Sequence, residues 1–339
     1  MKILIVTDPW PPVVSGVVRT YQSTIRYLKQ HGHQVEVIAP DRFTTVRCPT
    51  DTHLRLAVYA GRKTARLIES FDPDAIHVAS EGPLGLAARN WCVAHQVPFT
   101  TSYTTKLPEY VKVRSGVPET LTYSLVRWFH RPSAGVMVST DTLLGELRTH
   151  GFQNLVRWSR GVDLDLFRPR SKDFLTARRP ILTYVGRVAV EKNIEAFLQL
   201  DVPGTKFVVG DGPQRAQLKR KYPQVEFVGN QYGEDLAAYY AASDVFVFPS
   251  RTDTFGLVIL EALACGVPVA AYPVPGPLDV IGNSGVGALD TDLRTAVLRA
   301  LQIDPAQCRR YAQRFGWENV ARQFVANLHP VRKTRRAAA

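Results

Sequence analysis

Asp253 and Glu261 stand with seven residues between them, on either side of Phe255-Gly256. The apolar run from Asp244 to Ser250 just before them reads as a buried strand, and the pattern after Gly256 reads as a helix stopped by Gly266 and Pro268. A strand, a loop and a helix start in that order leave unpaired backbone N–H groups where phosphate can sit, while the two carboxylates can accept hydrogen bonds from hydroxyls. A ligand that is both sugar and diphosphate suits that pairing. Without a ligand, Asp253 would be a helix cap and Glu261 an exposed helix residue. A second strand-turn-helix pattern, Ile181 to Asn193, carries Arg187 and Lys192 after Gly186. A planar guanidinium and an ammonium point charge are the two ways side chains hold phosphate oxygens.

Other elements must position these groups. Lys206 to Val209 reads as a strand running into Gly210-Asp211-Gly212-Pro213, a sharp turn with proline at a first helical position. It lacks the third glycine of a dinucleotide fingerprint. At the amino end, Lys2 to Thr7 is a strand pattern, and the loop from Asp8 to Gly16 feeds a helix with Val17, Tyr21, Ile25 and Leu28 on one face, ending at Gly32. Such a loop opens at the carboxyl edge of a parallel sheet, where ligands bind.

These segments together resemble glycosyltransferase family 4, retaining enzymes of GT-B fold that use nucleotide-sugar donors. The resemblance implies that Asp253, standing where glutamate is usual, contacts the transferred sugar and that Glu261 contacts the nucleotide ribose. It places the donor diphosphate on Arg187 and Lys192 with Gly186, on the turn at Gly210, and on the loop of Phe255, Gly256 and Leu257; Gly229 and Asn230 match the segment that reads the base. Gly16 matches the family's glycine-rich loop. Thr104 stands where many members have histidine, and a hydroxyl cannot titrate near neutral pH. Thr104 and Tyr103 become the acceptor-side residues, and catalysis leans on electrostatics with Asp253, Arg187 and Lys192 as its catalytic groups. The pattern Ser102-Tyr-x-Thr-x-x-Pro-x-Tyr110, Arg160-Gly-Val-Asp163 with Phe167-Arg-Pro169, and Ser250 to Gly256 looks most like the branch of diacylglycerol glycosyltransferases, sulfoquinovosyl transferases and GDP-mannose-dependent alpha-mannosyltransferases. That branch implies a hexosyltransferase moving glucose or glucuronate from UDP to diacylglycerol, with GDP-mannose and a lipid or glycan acceptor as the alternative. A nucleotide-sugar epimerase and a non-catalytic nucleotide-binding module are the readings from other classes.

The expected fold class is α/β, with two doubly wound Rossmann-like domains facing a central cleft. The boundaries read as 1–168 for the acceptor-side domain, 169–180 for a polar, proline-bracketed linker and 181–304 for the donor domain. Residues 305–330 read as a helix packing back on the first domain, with Tyr311, Phe315, Val320, Phe324 and Leu328 at helical spacing, and 331–339 as a basic tail. At 339 residues, with 45% hydrophobic and 21% charged side chains, both domains can bury a core. Cys48, Cys92, Cys265 and Cys308 show no paired spacing, which suits a reduced protein with no metal and no cofactor beyond the nucleotide-sugar co-substrate. Asp72-Pro-Asp74 and Asp163-Leu-Asp165 read as turns rather than metal ligands.

The net charge of +12, from 42 basic and 30 acidic residues, fits an anionic partner. No nucleic-acid motif accompanies it. Between Lys106 and Arg131 cations interleave with aromatics, which suits an anionic membrane surface: Lys112, Arg114, Arg127, Trp128, Phe129 and Arg131 are its expected contacts. A solvated face over an ordinary core helix is the competing reading. The location expected from these features is cytoplasmic, peripheral on the inner face of the plasma membrane.

Overall fold

The computed structural model describes residues 1–331 except Val14, Pro49, Thr50, Thr252 and Thr254, and gives residues 51–54, Tyr110 and 113–115 by backbone alone. The basic tail from Arg332 and the side chain of Arg114 therefore lie outside the described residues. The chain forms two compact units: Met1–Ser159 together with the residues from Val320 on, and Arg160–Asn319.

The first unit contains β1 (Lys2–Val6), β2 (Gln34–Ile38), β3 (Thr45–Cys48), β4 (Asp51–Ala57), β5 (Ala75–Val78), β6 (Thr100–Tyr103), β7 (Gly135–Val138) and β8 (Leu155–Arg157). Six of these strands make one parallel sheet in the order β2-β1-β5-β6-β7-β8, while β3 and β4 pair as a separate antiparallel hairpin. Strands β5, β6 and β7 are buried at every residue, as strands covered on both faces must be, and the polar His77 and Ser102 among them are hydrogen-bonded within the core. The second unit repeats the plan with β9 (Ile181–Val185), β10 (Thr205–Val209), β11 (Glu226–Gly229), β12 (Val245–Phe248), β13 (Val269–Ala271) and β14 (Gly287–Leu289), ordered β11-β10-β9-β12-β13-β14. Strand order reverses between β1 and β5 in one sheet and between β9 and β12 in the other. At such a switch point the flanking loops splay apart and leave a crevice for ligands.

The boundaries differ from those expected. The first unit's leading segment ends at Ser159, not 168. Residues 160–168 join the second unit because Arg309 grips their backbone: it donates to the carbonyls of Phe167 at 2.7 Å and Leu164 at 3.1 Å. The expected linker 169–180 is likewise pinned to the second unit. Arg170 pairs with Glu234 at 2.5 Å, Lys172 and Arg179 both pair with Asp244, and Phe174 meets Tyr239 edge-on. Its basic residues are ion-pair partners rather than solvated spacers. The expected helix over 305–330 is two helices, Pro305–Ala312 and Trp317–Asn327, with a tight turn at Gln313–Phe315 between them. Tyr311 and Phe315 pack on the second unit's core, while Val320, Phe324 and Leu328 belong with the first. The first helix of the chain, Gly16–Gln30, buries Val18 instead of Val17 with Tyr21, Ile25 and Leu28, since counting back three residues from Tyr21 faces inward as readily as counting back four.

In the first unit Phe324 is fully buried, with its ring centroid 4.9 Å from His77 and 5.0 Å from Trp158. Trp158 Nε1 donates to the Val320 carbonyl at 3.2 Å, so the terminal helix closes the bottom of an aromatic cluster. His77 itself is fully buried, donating or accepting through both ring nitrogens to Tyr21 and Thr100, and is a packing residue. Replacing Phe324 with Ala removes a ring from that cluster and should cost about 3–5 kcal/mol. Denaturant unfolding followed by tryptophan fluorescence checks this, and an unchanged midpoint would show that the terminal helix adds nothing to the first core.

Candidate functional site

In the second unit the loops after β9, β10 and β11 are laced to one another by backbone. Gly186 N–H donates to Val209 O at 3.0 Å, Val188 N–H to Asp211 O at 2.9 Å and Gly210 N–H to Gly229 O at 2.7 Å. The approach is so close that a Cβ on Gly210, where φ is +141°, would lie 1.9 Å from the Gly186 carbonyl oxygen. No side chain fits there. The lacing holds Gly186, Gly210 and Gly229 at one edge, the edge to which the sequence assigned the donor, and leaves Asn230 exposed beside them.

Across the switch point the loop after β9 meets the loop after β12. Lys192 Nζ donates to Asp253 Oδ1 at 2.5 Å, with about four-fifths of each side chain buried. The other oxygen, Asp253 Oδ2, is buried and accepts no hydrogen bond among the described residues. An unsatisfied buried carboxylate oxygen is costly unless a donor arrives. Asn193 Nδ2 ties the same two loops by donating to Pro249 O at 3.1 Å. Arg187 is about half exposed, with its carbonyl held at 2.8 Å by the Tyr184 hydroxyl and Glu191 3.9 Å from its guanidinium. Burial pushes the Tyr184 phenol well above its ordinary range, which keeps it a neutral donor.

The helix Leu257–Ala264 begins at Gly256. Glu261 sits on it at 7% exposure and accepts from the Tyr240 hydroxyl at 2.8 Å, so it is not the exposed helix residue of the alternative reading. The Phe255 ring is buried in the core with Phe248 and Ile259, so its side chain is not on the surface of this loop. Leu257 is partly buried against the same core. Sequence reasoning gave no role to Arg251, whose guanidinium lies 3.7 Å from the centre of the Tyr272 ring and adds a third cation to these loops. The signal was its place between strand and helix, one residue after Ser250.

In the first unit the loop after β1 is anchored by Asp8. This buried carboxylate accepts from Ser80 Oγ at 2.7 Å and from the backbone of Leu84 and Gly85 at 2.9 and 3.3 Å, at the start of the helix Pro83–Ala94. Burial pushes its pKa up despite those bonds. Further along the loop, Ser15 Oγ caps the helix that Gly16 begins, accepting from Val18 N–H at 3.3 Å. Thr104 is partly exposed after the carboxyl end of β6. Tyr103 is not on that surface: β6 is central and covered on both faces, so its ring lies in the core with Tyr123 and Phe152.

Among the expected membrane contacts, Phe129 is also corrected. At 3% exposure it shares the inward face of the helix Glu119–His130 with Thr122, Tyr123 and Val126. Lys112 pairs with Glu119 at 3.1 Å, Arg127 donates to the His150 carbonyl at 2.9 Å, and Arg131 is exposed. Trp128 is 49% exposed, with one face covered by the Arg89 guanidinium at 4.0 Å. Leu121 and Leu125, which sequence reasoning passed over, are 64% and 62% exposed and line up with Trp128 on the outer face. No helix among the described residues is long and apolar enough to cross a membrane. Asp163 of the paired aspartates accepts from the N–H groups of Asp165 and Leu166, a turn, and among the described residues no group of three His, Cys, Asp or Glu is placed to hold a metal ion.

Two family models match in succession: Glycosyltransferase Family 4 over residues 14–166 and Glycosyl transferases group 1 over residues 179–302. The chain is 32% identical to a GDP-mannose-dependent alpha-mannosyltransferase of Mycobacterium tuberculosis, over 85% of this chain and 83% of that one. It is 27% identical to the alpha-monoglucosyldiacylglycerol synthase of Streptococcus pneumoniae, over 97% of this chain and 85% of that one. Its fold matches sucrose-phosphate synthase from Thermosynechococcus elongatus with a TM-score of 0.74 at 22% identity, covering 96% of this chain and 97% of that one. With both halves matched, the chain belongs to glycosyltransferase family 4: it is a hexosyltransferase of GT-B fold that takes its sugar from a nucleotide-sugar.

Proposed function

We propose that this enzyme transfers a hexose with retained anomeric configuration onto a membrane lipid. The observation that carries the site assignment is the Lys192–Asp253 pair at the switch point, with Asp253 Oδ2 left open. The donor diphosphate lies against Arg187, Lys192 and the start of the helix Leu257–Ala264. Asp253 accepts from a hydroxyl of the sugar, and Glu261 from a ribose hydroxyl in place of, or beside, Tyr240. The acceptor oxygen bonds to the anomeric carbon as the bond to the diphosphate breaks, and the acceptor proton passes to the departing phosphate. Arg187 and Lys192 stabilise the negative charge that grows there. Because these cations and backbone amides neutralise the leaving group, no metal ion is assigned a role.

Similarity over most of the chain supports GDP-mannose ahead of UDP-glucose or UDP-glucuronate as the donor, because the mannosyltransferase relative is the more similar of the two compared. The glucosyldiacylglycerol relative supports diacylglycerol or a related lipid as acceptor. Transfer assays with the three donors and a lipid extract, read by mass spectrometry, decide between them; donor turnover that never needs lipid would overturn the lipid acceptor.

Arg187→Ala and Lys192→Ala should each lower kcat by roughly ten- to hundredfold, the loss of about 1.5–3 kcal/mol of charge-assisted hydrogen bonding. Nucleotide affinity should fall less. Wild-type turnover in both variants would remove the diphosphate from these loops. Excess EDTA should leave transfer intact; complete loss reversed by magnesium or manganese would show that a metal carries the charge instead. The outer stripe of Leu121, Leu125 and Trp128, with Arg127 and Arg131 beside it, suits the headgroup region of a membrane. Changing Leu121 and Leu125 to Ser should weaken vesicle flotation at least tenfold, given about 1.5–3 kcal/mol for each buried leucine, without lowering the unfolding midpoint. Equal flotation would take the stripe out of the membrane.

A further inference from the structure

The first unit holds a pocket of about 300 Å3 lined by Arg127, His130, Arg131, Gly151, Phe152 and Gln153. That volume is at the lower end of small-molecule sites, roughly 300–1,000 Å3. Its walls are the turns that lead into β7 and β8, so it lies at the amino ends of those strands. Gly16 and Thr104 follow the carboxyl ends of β1 and β6, on the other edge of the same parallel sheet. The pocket is therefore separate from the acceptor side of the transferase site.

Two arginines give it a cationic lining, while His130 on its wall meets Glu81 at 3.1 Å. Arg127 and Arg131 are four residues apart at the carboxyl end of the helix Glu119–His130 and share a face. Lys112 pairs with Glu119 at 3.1 Å and Arg157 with Asp141 at 3.2 Å, whereas Arg89 is held by carbonyl oxygens of Phe129, Asn90 and Trp128. Among the described residues neither Arg127 nor Arg131 has a carboxylate within ion-pair distance. Cations at a helix carboxyl end are favoured by its dipole, but the dipole explains neither the cavity nor the way Arg127 is held. Arg127 Nη1 donates to the His150 carbonyl at 2.9 Å, and the His150 ring is stacked 3.7 Å from the Tyr123 ring. The guanidinium lies along Gly151, where φ is +77° and an added Cβ would sit 3.0 Å from Nη1. One N–H is used in this hold, and the rest of the fork remains for a ligand. Phe152, buried in the core with Tyr123, gives the pocket a rigid wall.

We propose that this pocket binds a phosphate group, as a monoester or diester, clamped by Arg127 and Arg131 with Gln153 as a neutral donor. A guanidinium fork matches phosphate oxygens in shape as well as charge. The phosphate comes either from a soluble phosphate compound or from the headgroup of an anionic lipid, which the outer stripe of Leu121, Leu125 and Trp128 on the same helix would bring within reach. The occupant is neither donor nor acceptor, and the proposal stands apart from the choice of sugar and lipid above.

The test titrates the purified full-length enzyme with inorganic phosphate by calorimetry, and in parallel floats it with vesicles of phosphatidylcholine alone or mixed with phosphatidylglycerol. Parent, Arg127→Gln, Arg131→Gln and, as a donor-loop control, Arg187→Ala are compared. Arg131 is exposed, so its variant keeps the test valid if Arg127→Gln fails to fold. Phosphate binding that falls at least tenfold in Arg131→Gln but persists in Arg187→Ala supports the proposal with a soluble occupant. No heat with phosphate, together with preferential flotation on the anionic vesicles that Arg131→Gln abolishes, supports it with a lipid headgroup. Binding lost in Arg187→Ala and retained in Arg131→Gln, or binding of neither anion, overturns it.

Discussion

Everything at the donor end depends on three backbones coming closer together than any side chain permits. The Gly210 position, with the Gly186 carbonyl where a Cβ would be, lets the turns after β9, β10 and β11 bond to each other through main-chain groups alone. A parallel sheet fixes only its strands; the loops beyond its carboxyl edge are free to drift unless something ties them. Here the tie uses no side chain, which leaves the side chains of Arg187, Lys192 and Asp253 for other contacts. Their positions are set by the sheet, which is the preorganisation that electrostatic catalysis needs.

The Lys192–Asp253 pair carries the same logic into charge. Two opposite charges this far out of water are stable only when geometry and additional hydrogen bonds compensate for lost hydration. The contact at 2.5 Å supplies part of that, and the bare Asp253 Oδ2 shows that it is incomplete. A sugar hydroxyl would complete it. Lys192 thus fixes the position of the Asp253 carboxylate through one contact.

Much of this was legible from residue types because turns and switch-point loops have strong chemical signatures: Gly-Arg after a strand, Gly-Asp-Gly-Pro after the next, two acids flanking Phe255-Gly256. The strand order was not written in any single segment, yet it decides that Lys192 and Asp253 meet. Sequence spacing misled where both faces of an element are buried, as with Tyr103 on β6, and where an aromatic beside basic residues belongs to the inner face, as with Phe129. The segment 169–180 looked like a linker because it is polar and bracketed by prolines, but its cations find Glu234 and Asp244, partners distant in sequence. The exposed Leu121 and Leu125 were invisible for the opposite reason: composition cannot tell which side of a helix faces out.

Asp8 sets the two halves of this internally repeated architecture apart. In each sheet the strand across the switch point leads to a helix whose first N–H groups attract negative charge: Pro83–Ala94 after β5, and Leu257–Ala264 after β12. In the first unit those groups are met from within, since the carboxylate of Asp8, on the loop after β1, accepts from the backbone N–H groups of Leu84 and Gly85. In the second, the corresponding loop after β9 brings cations instead. One unit meets its helix start with a carboxylate, while the other places Arg187 and Lys192 on the corresponding loop. A single acidic residue at the turn after β1 thus gives the two copies of the plan opposite charge at equivalent positions.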